Sequence, residues 1–222
     1  MPQQTRKRRY HGKGRYQNYY RGGKQLYKDV MYLKTLVNSE LHYDYASYTA
    51  QSITSAGSIY HLSAIGQGDT NSTRSGNSVL PRYLNLQVTL QSSVISDVVR
   101  LLVFRWKDNS TPTIADVFEN SSMPVYSPLN DNISGNKKDR QIDIIKNKVL
   151  VVGSGTYSDV VFYKKVLDLN PQNKNIKDHI KFDNASTTAP VGGIYMILVS
   201  RKPSGANNID FEGMHKLSFH DN

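Results

Sequence analysis

The stretch TRKRRYHGKGRYQNYYRGGKQLYK, residues 5 to 28, combines the two side-chain types that grip an unpaired polynucleotide. Arg6, Lys7, Arg8, Arg9, Lys13, Arg15, Arg21, Lys24 and Lys28 supply nine positive charges before the first acid, Asp29. Lysine and arginine neutralise phosphates and release condensed counterions, which gives affinity without requiring a base sequence. Tyr10, Tyr16, Tyr19 and Tyr20 stand among these bases, and aromatic rings stack on unpaired bases for about 1 to 3 kcal/mol each. Glycines at 12, 14, 22 and 23 keep the tether free to turn. This chemistry suits a single strand better than a duplex. Two blander readings compete: RKRR as a nuclear import signal, and the whole stretch as a solubilising tail.

The other nineteen bases of the chain face eighteen acids, so nearly all of the +10 net charge lies on this arm. A block of that kind repels itself and buries no apolar surface, which predicts a disordered interaction tail. Catalytic patterns are sparse elsewhere. The histidines, at 11, 42, 61, 179, 215 and 220, make no metal-ligand spacing. VGSGT around Ser154 lacks the glycines of a nucleophile elbow, having Val152 and Thr156 at those positions. The loop GQGDTNSTRSGNSV, residues 66 to 79, has no G-K-[ST] ending, and as a calcium loop it fails at Thr73 and Arg74. Its Asp69 and Arg74 suit a charge-assisted hydrogen bond that orders the loop or joins it to a neighbour; an ordinary long loop is the alternative. The absence of cysteine removes disulfides, thiol nucleophiles and cysteine zinc sites. The chain reads as a binder or builder rather than an enzyme, with no cofactor or metal expected.

The elements that would carry these residues follow from periodicity. Leu26, Val30, Leu33 and Val37 recur at helical spacing, predicting a short amphipathic helix or linker over 26–38 between the arm, 1–25, and the body, 39–222. LHYDYASYT alternates through Leu41, Tyr43, Tyr45 and Tyr48, and YLNLQVTLQ alternates Leu84, Leu86, Val88 and Leu90 with polar residues, as a half-buried strand does. DVVRLLVFRW, 97–106, is apolar almost throughout and predicts a strand covered on both sides. Further strands are expected in SIYHLSAI, RQIDIIKNKVLVVG, DVVFYKKVLDL, HIKF, GIYMILVSR and HKLSFH. Residues 107–139 read as a long polar connection with three prolines and one helical turn at TIADVFE. Eight or nine strands without alternating helices predict an all-β antiparallel sandwich, with a jelly roll of eight strands fitting the length best. No apolar run reaches the length of a membrane span, and the charged start lacks the apolar stretch of a signal peptide, so no membrane insertion is expected.

The order of basic arm, short helix and jelly-roll strands resembles the coat proteins of small icosahedral viruses of the satellite tobacco necrosis virus type. More narrowly it resembles the capsid proteins of small circular Rep-encoding single-stranded DNA viruses. TRKRRYHGKGRY, YLKTLVNSELHYD, GQGDTNSTRSGNSV and the ending GMHKLSFHD carry the resemblance. The ending departs from that group, which often has an arginine where this chain has His215 and Lys216. The resemblance implies a single jelly roll that assembles with itself into a T=1 shell of sixty subunits. The arm would then face the interior and package single-stranded DNA rather than RNA, in a virion put together in the host nucleus, with the host receptor unspecified. The rival readings are a monomeric or small-oligomer single-strand-binding protein and an extracellular jelly-roll lectin.

Overall fold

The computed structural model describes residues 25–30, 41–92, 96–130, 142–153, 156–165, 179–188, 190–202 and 209–221, with strand 156–165 described by its backbone. The chain divides into two compact units, residues 1–39 and 40–222. In the first, residues 25–30 form helix α1, where Gln25 Nε2 donates to Asp29 Oδ1 at 3.0 Å across one turn. Leu26, Tyr27 and Val30 are exposed on it. The remainder of the helix expected over 26–38 lies outside the described residues.

Among the described residues of the second unit there are nine strands: β1 Leu41–Ile53, β2 Ser58–His61, β3 Ser78–Ser92, β4 Asp97–Trp106, β5 Ile142–Val152, β6 Thr156–Lys165, β7 Ile180–Lys181, β8 Gly193–Ser200 and β9 Ile209–Asp221. One sheet runs in the order β1-β9-β3-β6, with the two-residue β7 also paired to β3; the other runs β2-β8-β4-β5. Every pairing is antiparallel. Eight strands in two sheets of four in this interleaved order, with the short β7 added to the first, are the jelly-roll sandwich that the strand pattern predicts.

Side-chain alternation explains how one sequence supplies two apolar layers. On β3, Leu84, Leu86, Val88 and Leu90 point between the sheets, where they meet Val99, Leu101 and Val103 of β4, Ile194, Met196 and Leu198 of β8, and Phe211, Leu217 and Phe219 of β9. The intervening residues of β4 and β8, namely Leu102, Phe104, Trp106, Tyr195, Ile197 and Val199, face away from that core yet are also buried. What covers them is the segment read as a polar connection. Val117, Phe118 and Val125 close over this outer face and form a second core. Helix α2, Ile114–Val117, anchors the segment through a capping box in which Thr113 and Asp116 each satisfy the other's backbone N–H.

β1 differs from its expected orientation. Tyr48 lies on the inner face against Phe211 and His215, whereas Leu41, Tyr43 and Tyr45, odd-numbered and so on the opposite side of the pleat, are exposed. A bulge between Tyr48 and Gln51, with Ala50 at φ 42°, then shifts the register against β9. Among the described residues, no helix is long and apolar enough to cross a membrane.

Candidate nucleic-acid interface

Arg6 to Lys24, together with Tyr10, Tyr16, Tyr19 and Tyr20, lie outside the described residues; Lys28 is exposed on α1. The loop residues can be placed in full. Arg74 is completely buried. Its backbone closes the loop upon itself, N–H to Gly66 O and carbonyl to Gly68 N–H, both at 2.9 Å. Its guanidinium then reaches across to a separate turn. Nε donates to Ile65 O at 3.3 Å, one terminal nitrogen to Gly76 O and, at 3.4 Å, to Asn77 Oδ1, and the other to Asn184 O and, at 3.2 Å, to Ser186 O. The Phe182 ring lies 4.2 Å beneath it. Five acceptors and an aromatic face match the guanidinium's fixed fork of five donors.

Asp69 is not among these partners. It is exposed near the loop's tip, where Thr70 and Thr73 bond to one another instead. The carboxylate whose field acts on Arg74 is that of Asp221, which also accepts from the Ser75 N–H. Burial draws the Arg74 pKa down and Asp221 opposes it. The same loop reaches the edge of the sheet, where Asn71 O accepts from Tyr43 N–H at 2.9 Å.

Two further arginines are likewise committed. Arg100 donates to Asn147 Oδ1, Pro124 O and Ser127 O and lies over Phe118, which fastens the covering segment to β4. Arg105 donates to Gly192 O and His179 O at 3.1 and 3.0 Å. Gly192, at φ 82°, leaves no room for a Cβ beside that guanidinium. Such a charge is spent on carbonyls inside the body and is not offered to phosphate. Sequence gives one hint of this: Arg100 and Arg105 interrupt an otherwise apolar strand.

Two imidazoles are buried in different layers: His215 on the inner face of β9 beside Tyr48, and His61 on the outer side of β2 beside Tyr195. Tyr48 Oη lies 2.9 Å from His215 Nδ1, and His61 stacks on Tyr195 at 4.5 Å while its Nε2 lies 3.0 Å from Ser63 Oγ. Burial pushes both imidazoles down to about 4, with repulsion from His215 adding to the effect at His61. Among the described residues, no three His, Asp or Glu side chains gather to hold a metal ion.

On the outer face of the first sheet, Tyr43 and Tyr45 stack with centroids 6.4 Å apart, and Lys216 Nζ sits 4.4 Å from the Tyr43 ring. Register places Lys216 between Tyr45 and Asn85, and Ser218 between Tyr43 and Tyr83.

This geometry defines an eight-stranded jelly-roll fold. No family model matches the chain, and no curated protein matches it. Solved viral structures resemble it distantly. A chain of infectious bursal disease virus, Gx strain, is 9% identical with a TM-score of 0.35; the match covers 81% of this chain but only 32% of the other. A chain of Desmodium yellow mottle tymovirus is 12% identical with a TM-score of 0.33, covering 80% of this chain and 85% of the other. At such scores neither structure says what this chain does.

Proposed function

We propose that the chain is a viral coat subunit that assembles with itself into a small closed shell, of sixty copies in the simplest icosahedral case, around a single-stranded DNA genome. The observation that carries this reading is the division of labour in one chain. A jelly-roll body near charge balance follows an arm of nine bases without an acid. Neighbouring bodies then repel little, while the surplus charge is available to a polyanion enclosed by the shell. Sixty arms bring about 540 positive charges inside, enough to offset roughly as many phosphates. RKRR serves nuclear import before assembly, and the finished location is the virion. The exposed tip around Asp69, held in place by Arg74, is a contact between subunits, and the role is structural rather than catalytic.

The test is to image and sediment the purified full-length protein with and without single-stranded DNA across a salt series. Closed particles that fill readily at low salt, with empty ones favoured only as salt rises, are expected. A persistent monomer or dimer under all conditions overturns the shell and leaves a small single-strand-binding protein. Parallel loading with single-stranded RNA decides the genome type.

A further inference from the structure

The two sheets differ in what lies outside them. Residues 113–130 bury the outer face of the second sheet, whereas on the first Tyr43, Tyr45, Gln87, Met214 and Lys216 stay exposed. That open face is not uniform. Its rows near the start of β1 carry Tyr43, Tyr45, Tyr83, Asn85, Gln87 and Lys216, and the register continues them to Lys165 and Tyr163 of β6. Its acids stand toward the other end of the strands: Asp210 and Glu212 of β9 are at least four residues from Lys216, about 13 Å along a strand, and the register puts Asp159 of β6 in the row of Glu212. Asp44, the acid within the aromatic stretch of β1, belongs to the opposite face of the pleat, with His42 and Tyr48. The aromatic rows are therefore cationic without a carboxylate among them.

We propose that this face of the body, centred on the Tyr43–Tyr45 stack and Lys216, is a second binding surface for single-stranded nucleic acid, distinct from the arm. Tyr45, 64% exposed, offers an open ring face to an unpaired base. The Tyr43 ring is held by Lys216 on one side, so it buttresses Tyr45 and brings a positive charge to where a phosphate would pass. Asn85 and Gln87 on the neighbouring strand supply amide donors and acceptors to base edges. A β-sheet with exposed aromatics and flanking amides is a general solution for splayed bases, because stacking tolerates any unpaired base. β1 is the first strand after the arm and α1 in sequence, so a strand gathered by the arm's charges has a stacking surface on the first strand of the body. The inference rests on the reading of the chain as a packaging subunit and adds an orientation to it: this face turns toward the genome.

The experiment photo-cross-links the full-length protein to a single-stranded oligodeoxynucleotide containing 5-iodouracil and maps the attached peptides by mass spectrometry. The peptide bearing Tyr43 and Tyr45 should be labelled as well as the arm. The Tyr45→Ser/Lys216→Gln variant changes only exposed positions and should melt like the parent. It should lose the β1 cross-link, keep those of the arm, and bind the oligonucleotide about tenfold more weakly at moderate salt. Cross-links confined to the arm with unchanged affinity overturn the surface. A variant that binds normally but no longer sediments as particles also overturns it and makes the face a contact between copies. The shell can fail separately: a protein that never forms particles yet cross-links through Tyr45 keeps this surface and loses the shell.

Discussion

At the scale of single residues, Arg74 and Asp69 separate two properties that one loop combines. Arg74 satisfies carbonyls from two distant turns, including that of Asn184, a residue at φ 52° whose conformation asparagine tolerates better than most. Truncation to alanine leaves those buried acceptors unpaired and opens a void over Phe182. We expect Arg74→Ala to lower unfolding free energy by about 3 to 5 kcal/mol, read from urea denaturation. A loss under about 1 kcal/mol would mean that water replaces the guanidinium. Arg74→Ala therefore cannot report on assembly by itself. Asp69 can, because it is exposed and bonds to nothing around it in the loop. Asp69→Ala should leave the melting temperature within a degree or two while reducing particle yield in sedimentation; unchanged yield would remove the loop tip from the subunit contacts. The sequence singled out both residues from the loop's pattern and paired them with each other. It could not show that the arginine's partners are main-chain carbonyls 110 residues further on, because carbonyls leave no signature in a sequence.

At the scale of elements, the strands were legible wherever strict alternation or an unbroken apolar run marked them. Leu84 to Leu90 and Asp97 to Trp106 show their burial in their spelling. β1 did not, because tyrosine serves on either face: its phenol suits an exposed sheet surface as well as a core, so the apolar-looking positions 41, 43 and 45 proved to be the outer ones. The covering segment was missed for a different reason. Its buried anchors are Val117, Phe118 and Val125, with Ile114 and Leu129 packed beside them, and apolar residues spaced irregularly among Asn, Ser and Pro make no period to detect. Strand contacts also explain one glycine. A Cβ at Gly213 of β9 would stand 2.3 Å from the Gln87 carbonyl oxygen of β3, so these backbones approach too closely for any side chain. Gly213→Ala should force the central pair of the sheet apart and cost about 3 kcal/mol or more, seen as a lowered denaturation midpoint with loss of amide protection along β9 and β3. A variant as stable as the parent would show that β9 shifts register without penalty.

At the scale of the whole molecule, each sheet of the sandwich holds a buried imidazole that senses acid. His215 projects from β9 toward the core between the sheets and His61 from β2 beside Tyr195 in the outer core, and each is held near pKa 4 against an ordinary value of 6.5. The groups facing them are Tyr48 and Asp44 of β1, Tyr60 of β2, Tyr195 of β8 and the Ser63 hydroxyl. The tyrosines are all raised by burial and stay neutral in acid. Ser63 Oγ already accepts from Ile194 N–H at 2.9 Å, which leaves its own proton for His61 Nε2 and so favours the neutral ring. The sign follows from linkage. Between pH 6.5 and about 4 the unfolded chain binds protons at these positions that the folded chain refuses, so stability falls as pH falls through that window. Below about 4 both states are protonated and the fall levels off. The magnitude is on the order of 3 kcal/mol for each imidazole. Asp44, raised by burial above its ordinary 3.8, acts in the opposite sense and offsets part of the fall. Urea midpoints of the full-length protein should decline from pH 7 to pH 4.5, and the decline should be shallower for His61→Gln, which removes one of the two titrating groups. Particles built from such subunits should loosen over the same window, measured as nuclease sensitivity of the enclosed strand. A midpoint that is flat or rises between pH 7 and pH 5 would mean that both imidazoles accept protons in place without cost to the fold.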